Sequence, residues 1–278
     1  MCPLWFKSLQ TLTRKPITVV GAGFSGLTTA YLLTKADRKV RIIEKTARAG
    51  GLIRTTRTEH GLVETAANGM LNSARLETMS EDIGVPVLPT RPDGRKRFIY
   101  RDKPRQLPLS LAEVLRIPVG LIANAANLRP QPFETIAEWG ARVPGKGATE
   151  FLLGPALGGI YAGDPKRLSA RLIFGRANLP DHIQTYRPKK ARVRGTVAPP
   201  NGMQQLIDGL VDYLRKREVE MHFETDARPD TNEPTIVCLS ASAAAEYLAN
   251  ASPALSQELA RVEMLSLLTA TCFFDKEA

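Results

Sequence analysis

The stretch "ITVVGAGFSGLTTAYLL", Ile17–Leu33, decides the fold. Its first four residues are all β-branched and read as a buried strand. Gly21, Gly23 and Gly26 follow at G-x-G-x-x-G spacing, and from Phe24 onward the apolar positions recur at helical intervals. Each glycine has a physical use in such a turn. Gly21 permits the tight bend, Gly23 lets a pyrophosphate approach bare backbone, and Gly26 lets helix and strand pack closely. The helix that starts near Phe24 and Ser25 offers N–H groups and the positive end of its dipole to a phosphate. Taken alone, the motif leaves the choice between NAD and FAD open.

Working outward, "KVRIIEK" reads as a second strand, joined to the first through one helix. That is the pattern of a right-handed βαβ unit. Glu44 ends this strand, where a carboxylate can accept hydrogen bonds from ribose hydroxyls. The next segment, "EKTARAGGLIRT", separates the two nucleotides. Gly50 and Gly51 would bring more backbone against the same pyrophosphate. Arg48 adds a cation and Thr55 a hydroxyl donor, and Lys45 is grouped with them on the cofactor side.

This second glycine pair resembles that of the flavoprotein family of amine oxidases, phytoene desaturases and protoporphyrinogen oxidases, so the resemblance implies FAD. Further segments are similar to its protoporphyrinogen and coproporphyrinogen oxidase branch. In "HGLVETAANGMLNS", Asn68 and Gly69 would approach the flavin. "RKRFIYRDKPRQLPLS" is similar to the family's substrate-side strand pair, with Arg97 matching an arginine that pairs with a substrate propionate. "LLGPALGGIYAGDPKRLSAR" matches most closely, and Gly159, Ala162 and Gly163 would thin one wall of a pocket for a flat macrocycle. "GTVAPPNGMQQLIDGL" resembles the glycine-rich return to the FAD domain.

The resemblance therefore implies oxidation of a porphyrinogen in haem biosynthesis, with hydride transfer to the flavin and oxygen as acceptor. No general acid or base stands out, and none is assigned. Two alternatives stay open: another FAD-dependent amine-oxidase or carotenoid-desaturase-like enzyme, and a non-catalytic fragment or half of a split flavoprotein. The family pattern continues beyond Ala278, so the chain reads as C-terminally truncated.

The fold expected is α/β: a Rossmann-like FAD-binding domain over residues 17–88, an inserted, mostly helical substrate domain over 89–195, and the FAD-domain return over 196–278. Within the insert, Ser110 and Glu113 have capping-box spacing ahead of a helix, and "PFETIAEWGARV" reads as another. After Pro200, Leu206, Leu210 and Leu214 share one helical face. "VEMHF", "TIVCLSA" and "LLTATCFFD" read as strands, with a helix in "ASAAAEYLAN".

Composition narrows the partners. The net charge is +10, but the basic runs lack interleaved aromatics and no nucleic-acid module is visible, so nucleic acid is not an expected partner. The charge is compatible with peripheral contact to anionic lipid, and a homo-oligomer is compatible too. Cys2, Cys238 and Cys272 and the three histidines are too scattered for a disulfide framework or a zinc site. A reducing, cytoplasmic setting and no metal are expected. "MCPLWFKSLQTLTRK" is too polar for a signal peptide's core and reads as a leader packed on the domain.

Overall fold

The structure is a computed structural model that describes residues 15–92, 96, 98–174, 190–230 and 232–274. The leader sequence and Arg97 lie outside the described residues. The chain divides into two compact units, Met1–Thr90 with Lys189–Ala278, and Arg91–Pro188.

In chain order the first unit begins with β1 (Ile17–Val20), α1 (Phe24–Lys35) and β2 (Val40–Ile43). A hairpin of β3 (Thr55–Arg57) and β4 (Leu62–Glu64), then β5 (Met70–Leu71), α2 (Ala74–Asp82) and β6 (Leu88–Pro89) follow. In the second unit come β7 (Ile99–Tyr100) and β8 (Pro104–Arg105), then α3 (Leu111–Ala123), α4 (Ile136–Arg142), α5 (Gly154–Tyr161) and α6 (Ala170–Phe174). The first unit resumes with β9 (Thr196–Ala198), α7 (Gln204–Arg215), β10 (Glu220–His222), β11 (Thr235–Val237), α8 (Ala241–Leu248) and α9 (Pro253–Ala260).

The main sheet runs β10-β2-β1-β11, all parallel, with Ile17 opposite Val40 and Val20 opposite Ile43. From β1 the chain crosses through α1 to β2 on one side, while β11 lies on the other. The topological switch point, where α/β sheets bind their ligands, is therefore the carboxyl end of β1, at Gly21.

α1 and α7 cover the sheet. Leu206, Ile207, Leu210 and Leu214 on α7 are essentially inaccessible; the last three pack with Val19, Leu27, Ala30 and Ile42, and Leu206 packs in a second cluster with Val85 and Met203. Burying each such side chain contributes about 1.5–3 kcal/mol, which is what keeps α7 folded. Tyr31 of α1 packs on Tyr213 of α7 with ring centroids 5.1 Å apart. The Tyr31 hydroxyl donates to Asp82 at 2.5 Å. Burial, then that hydrogen bond, pushes the tyrosine up to about 12.

The return to the first unit is anchored before β9. Glu77 of α2, a buried carboxylate, accepts the N–H groups of Arg192 (3.0 Å) and Val193 (3.1 Å) and the Asn72 amide (2.8 Å). These bonds, the Arg192 backbone first, lower Glu77 from 4.5 to about 2. A carboxylate depressed on folding stabilises the native state above its unfolded value and loses that contribution as pH falls through the folded one. Acid unfolding should show the signature between about pH 4.5 and 2. In that window wild type should lose stability with falling pH more steeply than Glu77→Gln, read by circular dichroism at fixed urea. Parallel acid limbs would remove Glu77 as the anchor.

In the second unit two helices start on capping boxes, Ser110–Glu113 on α3 and Thr135–Glu138 on α4. Its apolar cluster is built on Ile136, Leu157 and Ala170. The sequence spacing puts the second helix from Pro132, but Phe133 has φ +64° and is 98% exposed, so the helix begins only at Ile136. Residues 263–274, expected to include a strand, form none: among the described residues they pair with no strand, and an unpaired strand has no ladder to close.

Candidate cofactor site

The site is built from backbone. β1 ends at Gly21, whose φ of +100° only glycine adopts without strain. A Cβ there would also lie 2.7 Å from the Cys238 carbonyl beyond β11. Gly26, on the inner face of α1, is tighter: its Cβ would stand 1.8 Å from the Gly21 carbonyl oxygen. Gly23 differs from both. It N-caps α1 in extended conformation, and the nearest atom to an added Cβ is Gly51 Cα at 4.0 Å. That space is what a pyrophosphate needs.

α1 starts without a side-chain cap and without an acidic residue in its first turn. Its first intrahelical bond is Leu27 N–H to Gly23 O at 3.0 Å, so the N–H groups of Phe24, Ser25 and Gly26 have no partner in the helix. Ser25 is exposed, and Phe24 packs partly against the core.

The second glycine turn meets the first directly. Gly23 and Gly50 form a parallel bridge, and Gly50 N–H donates to Ala22 O at 2.8 Å. A Cβ on Gly51 would come 3.2 Å from Gly23 Cα. Two glycine motifs 27 residues apart thus become one backbone surface at the switch point.

Glu44 accepts from Ala22 N–H at 2.7 Å on one oxygen, and from the Thr46 N–H (2.8 Å) and hydroxyl (2.7 Å) on the other. A carboxylate offers about four acceptor positions, so one remains for a ribose hydroxyl. Arg48 behaves differently from the simple cation of the sequence reading. Its guanidinium donates to the carbonyls of Ala49 (3.1 Å), Ile53 (3.1 Å) and Gly51 (2.6 Å), wrapping the glycine turn. Of its five N–H groups, Nε and one on Nη2 are left to face a phosphate. Lys45 is exposed and sits 3.9 Å from Asp226.

Thr55 is committed elsewhere. Its hydroxyl donates to Glu64 at 2.9 Å, and a hydroxyl has one proton to give. Asn68 is exposed, whereas Gly69 packs on β9, since its Cβ would meet Thr196 Cγ2 at 2.8 Å. Among the candidate substrate residues, Gly159 on α5 has nothing within 4 Å of an added Cβ, while Gly163 is closed by its own turn, with Leu168 Cδ2 at 2.7 Å. Ala162 ends α5 in left-handed conformation, φ +50°. Asp164 caps that turn, accepting Lys166 N–H at 2.9 Å.

Sequence reasoning missed Glu64, Thr46 and Ala22. One signal was legible: α7 opens on "NGMQQ", with no capping side chain at its start, so its first N–H groups must be satisfied from another segment. Among the described residues no cluster of three or more metal-ligating side chains exists.

A parallel sheet, a glycine turn at its switch point and an acid ending the second strand define a dinucleotide-binding α/β protein, and the residues fit such a group. The family model for flavin containing amine oxidoreductases matches residues 24–228, and the chain belongs to that family. Its cofactor is FAD. The chain is 31% identical over 170 residues to the chloroplastic protoporphyrinogen oxidase of Nicotiana tabacum, covering 57% of this chain and 31% of that protein. It is 26% identical over 246 residues to coproporphyrinogen III oxidase of Mycobacterium bovis, covering 76% and 54%. The chain thus spans between 31% and 54% of the length of these relatives. Among solved structures, an oxidoreductase from Methanosarcina mazei superposes with TM-score 0.60 at 17% identity, over 89% of this chain and 65% of its own, a likeness of fold.

Proposed function

We propose that this chain carries the FAD-binding part of an oxidase of reduced tetrapyrroles, with a porphyrinogen as substrate and oxygen as electron acceptor. The observation that carries the reading is the bridge between Gly23 and Gly50, in a chain similar to protoporphyrinogen and coproporphyrinogen oxidases. Bound FAD would supply the acceptor for hydride taken from the substrate. The chain's own part is to bind and orient. The α1 N–H groups and the free edge of Arg48 face the pyrophosphate, and Glu44 holds the ribose. Asn68, at the turn before β5, is assigned to the flavin side.

The substrate side is assigned to residues 89–195, with Arg97, Gly159, Ala162 and Gly163 as its binding positions. A cytoplasmic location with peripheral contact to anionic lipid goes with this reading. No helix among the described residues is long and apolar enough to cross a membrane. The exposed Leu111, Leu115, Val119 and Ile122 on α3 support such a contact surface.

The test is direct. Purified chain titrated with FAD should quench flavin fluorescence at one equivalent. Under air it should then produce porphyrin fluorescence from protoporphyrinogen or coproporphyrinogen faster than a protein-free blank. Flavin binding without porphyrin formation, or turnover of amines instead, would remove the tetrapyrrole assignment and leave the flavin one. Indifference to anionic vesicles in cosedimentation would remove the lipid contact.

A further inference from the structure

We infer that Thr55 and Glu64 form a clamp that sets the second glycine turn in place for FAD, tying it to the start of α7; the inference rests on the FAD reading above. The two residues face each other across the hairpin, Thr55 at the start of β3 and Glu64 at the end of β4. The Thr55 hydroxyl lies 2.9 and 3.0 Å from the two Glu64 oxygens and gives its one proton to that carboxylate. The same hydroxyl oxygen accepts Gln204 N–H at 2.9 Å, and Glu64 accepts Met203 N–H at 2.8 Å.

α7 has no capping side chain of its own at that end. Two of its orphan donors are therefore satisfied by residues about 140 positions away in sequence, separated as Glu64 and Met203 are by 139. The Glu64 carboxylate also lies where the positive end of the α7 dipole favours a negative charge. The junction is closely fitted. Gly202, at φ +92°, could not carry a side chain, because its Cβ would lie 2.3 Å from Thr55 Cγ2 and 2.7 Å from Glu64 Oε1.

On its other side the clamp runs straight into the cofactor turn. Thr65, next to Glu64, donates its hydroxyl to the Leu52 carbonyl at 2.8 Å and its N–H to Arg54 at 3.0 Å. Arg48 closes the turn from within, and Gly50 is bonded to Ala22. A continuous set of bonds therefore leads from α7, through Thr55 and Glu64, to the turn that bridges Gly23. A turn already held in its bound position costs less ordering when the ligand arrives. Thr55 thus acts as a positioning residue rather than as the phosphate donor its sequence position suggested.

The full chain and three variants test this, with FAD affinity from fluorescence quenching and apo-protein thermal unfolding by circular dichroism. Thr55→Val and Glu64→Gln should each weaken FAD binding about tenfold, the loss of one charge-assisted hydrogen bond. Thr55→Ser, which keeps the hydroxyl, should bind within about threefold of wild type. At saturating FAD, the visible circular dichroism of the bound flavin should change in Thr55→Val and recover in Thr55→Ser. Wild-type binding that both Val and Gln variants match would overturn the clamp while leaving the FAD reading intact. Unfolding of both apo variants would also overturn it, since the link would then serve the core and not the turn. A wild-type chain that binds no FAD would overturn the FAD reading and the clamp together.

Discussion

Gly26→Ala should destabilise the first unit by about 3 kcal/mol, the upper end of what one inserted methyl costs in a packed interior. The added Cβ would stand 1.8 Å from the Gly21 carbonyl oxygen and 3.4 Å from Val19 Cγ1. The obstacle is backbone, which cannot rotate away as a side-chain end can. Relief requires α1 to lift from β1, and that opens the contact among Leu27, Ala30, Val19 and Ile42. Urea unfolding followed by circular dichroism should show the midpoint falling with an unchanged slope. A midpoint within the error of wild type would mean that α1 and β1 are not packed as closely as described.

Glu44→Ala should weaken FAD binding about a hundredfold. Two effects add. The ribose loses a charged acceptor, worth roughly 1.5–3 kcal/mol. The loop also loses the carboxylate that gathers Ala22 N–H on one oxygen and Thr46 on the other, so the edge of the site loosens before the ligand arrives. Each 1.4 kcal/mol is a factor of ten. Fluorescence titration reads the change, and affinity within about threefold of wild type would place the ribose elsewhere.

The two substitutions separate what glycine and acid contribute. Gly26 is a packing requirement that holds with or without a ligand, so its effect belongs in unfolding. Glu44 holds a loop and retains acceptor capacity, so its effect belongs in binding. A chain in which Gly26→Ala bound FAD poorly but unfolded normally would reverse these assignments.

Local spacing was enough for the βαβ start. Four β-branched residues, three glycines and a helical apolar period each act within a few residues, and β1, α1 and β2 lie at those positions. The α3 capping box was legible for the same reason, since its two bonds join Ser110 and Glu113 three residues apart. The buried face of α7 was legible because Leu206, Leu210 and Leu214 recur every four residues.

What sequence alone determined is thus the first dinucleotide turn and the core face of α7, because short-range geometry and side-chain period specify them, while the flavoprotein family was legible through the resemblance of the second glycine pair and the segments after it. Only the tertiary structure decided the company these parts keep. The Gly23–Gly50 bridge, the Thr55–Glu64 link to α7 and the Glu77 anchor on Arg192 join segments far apart in the chain. Arg48 was legible as a cation but not as the wrap around its own turn, and Thr55 as a donor but not as one whose single proton is already given to Glu64. Such pairings depend on how the hairpin folds back onto the sheet. No spacing along the chain records which of several acceptors a hydroxyl or guanidinium will reach.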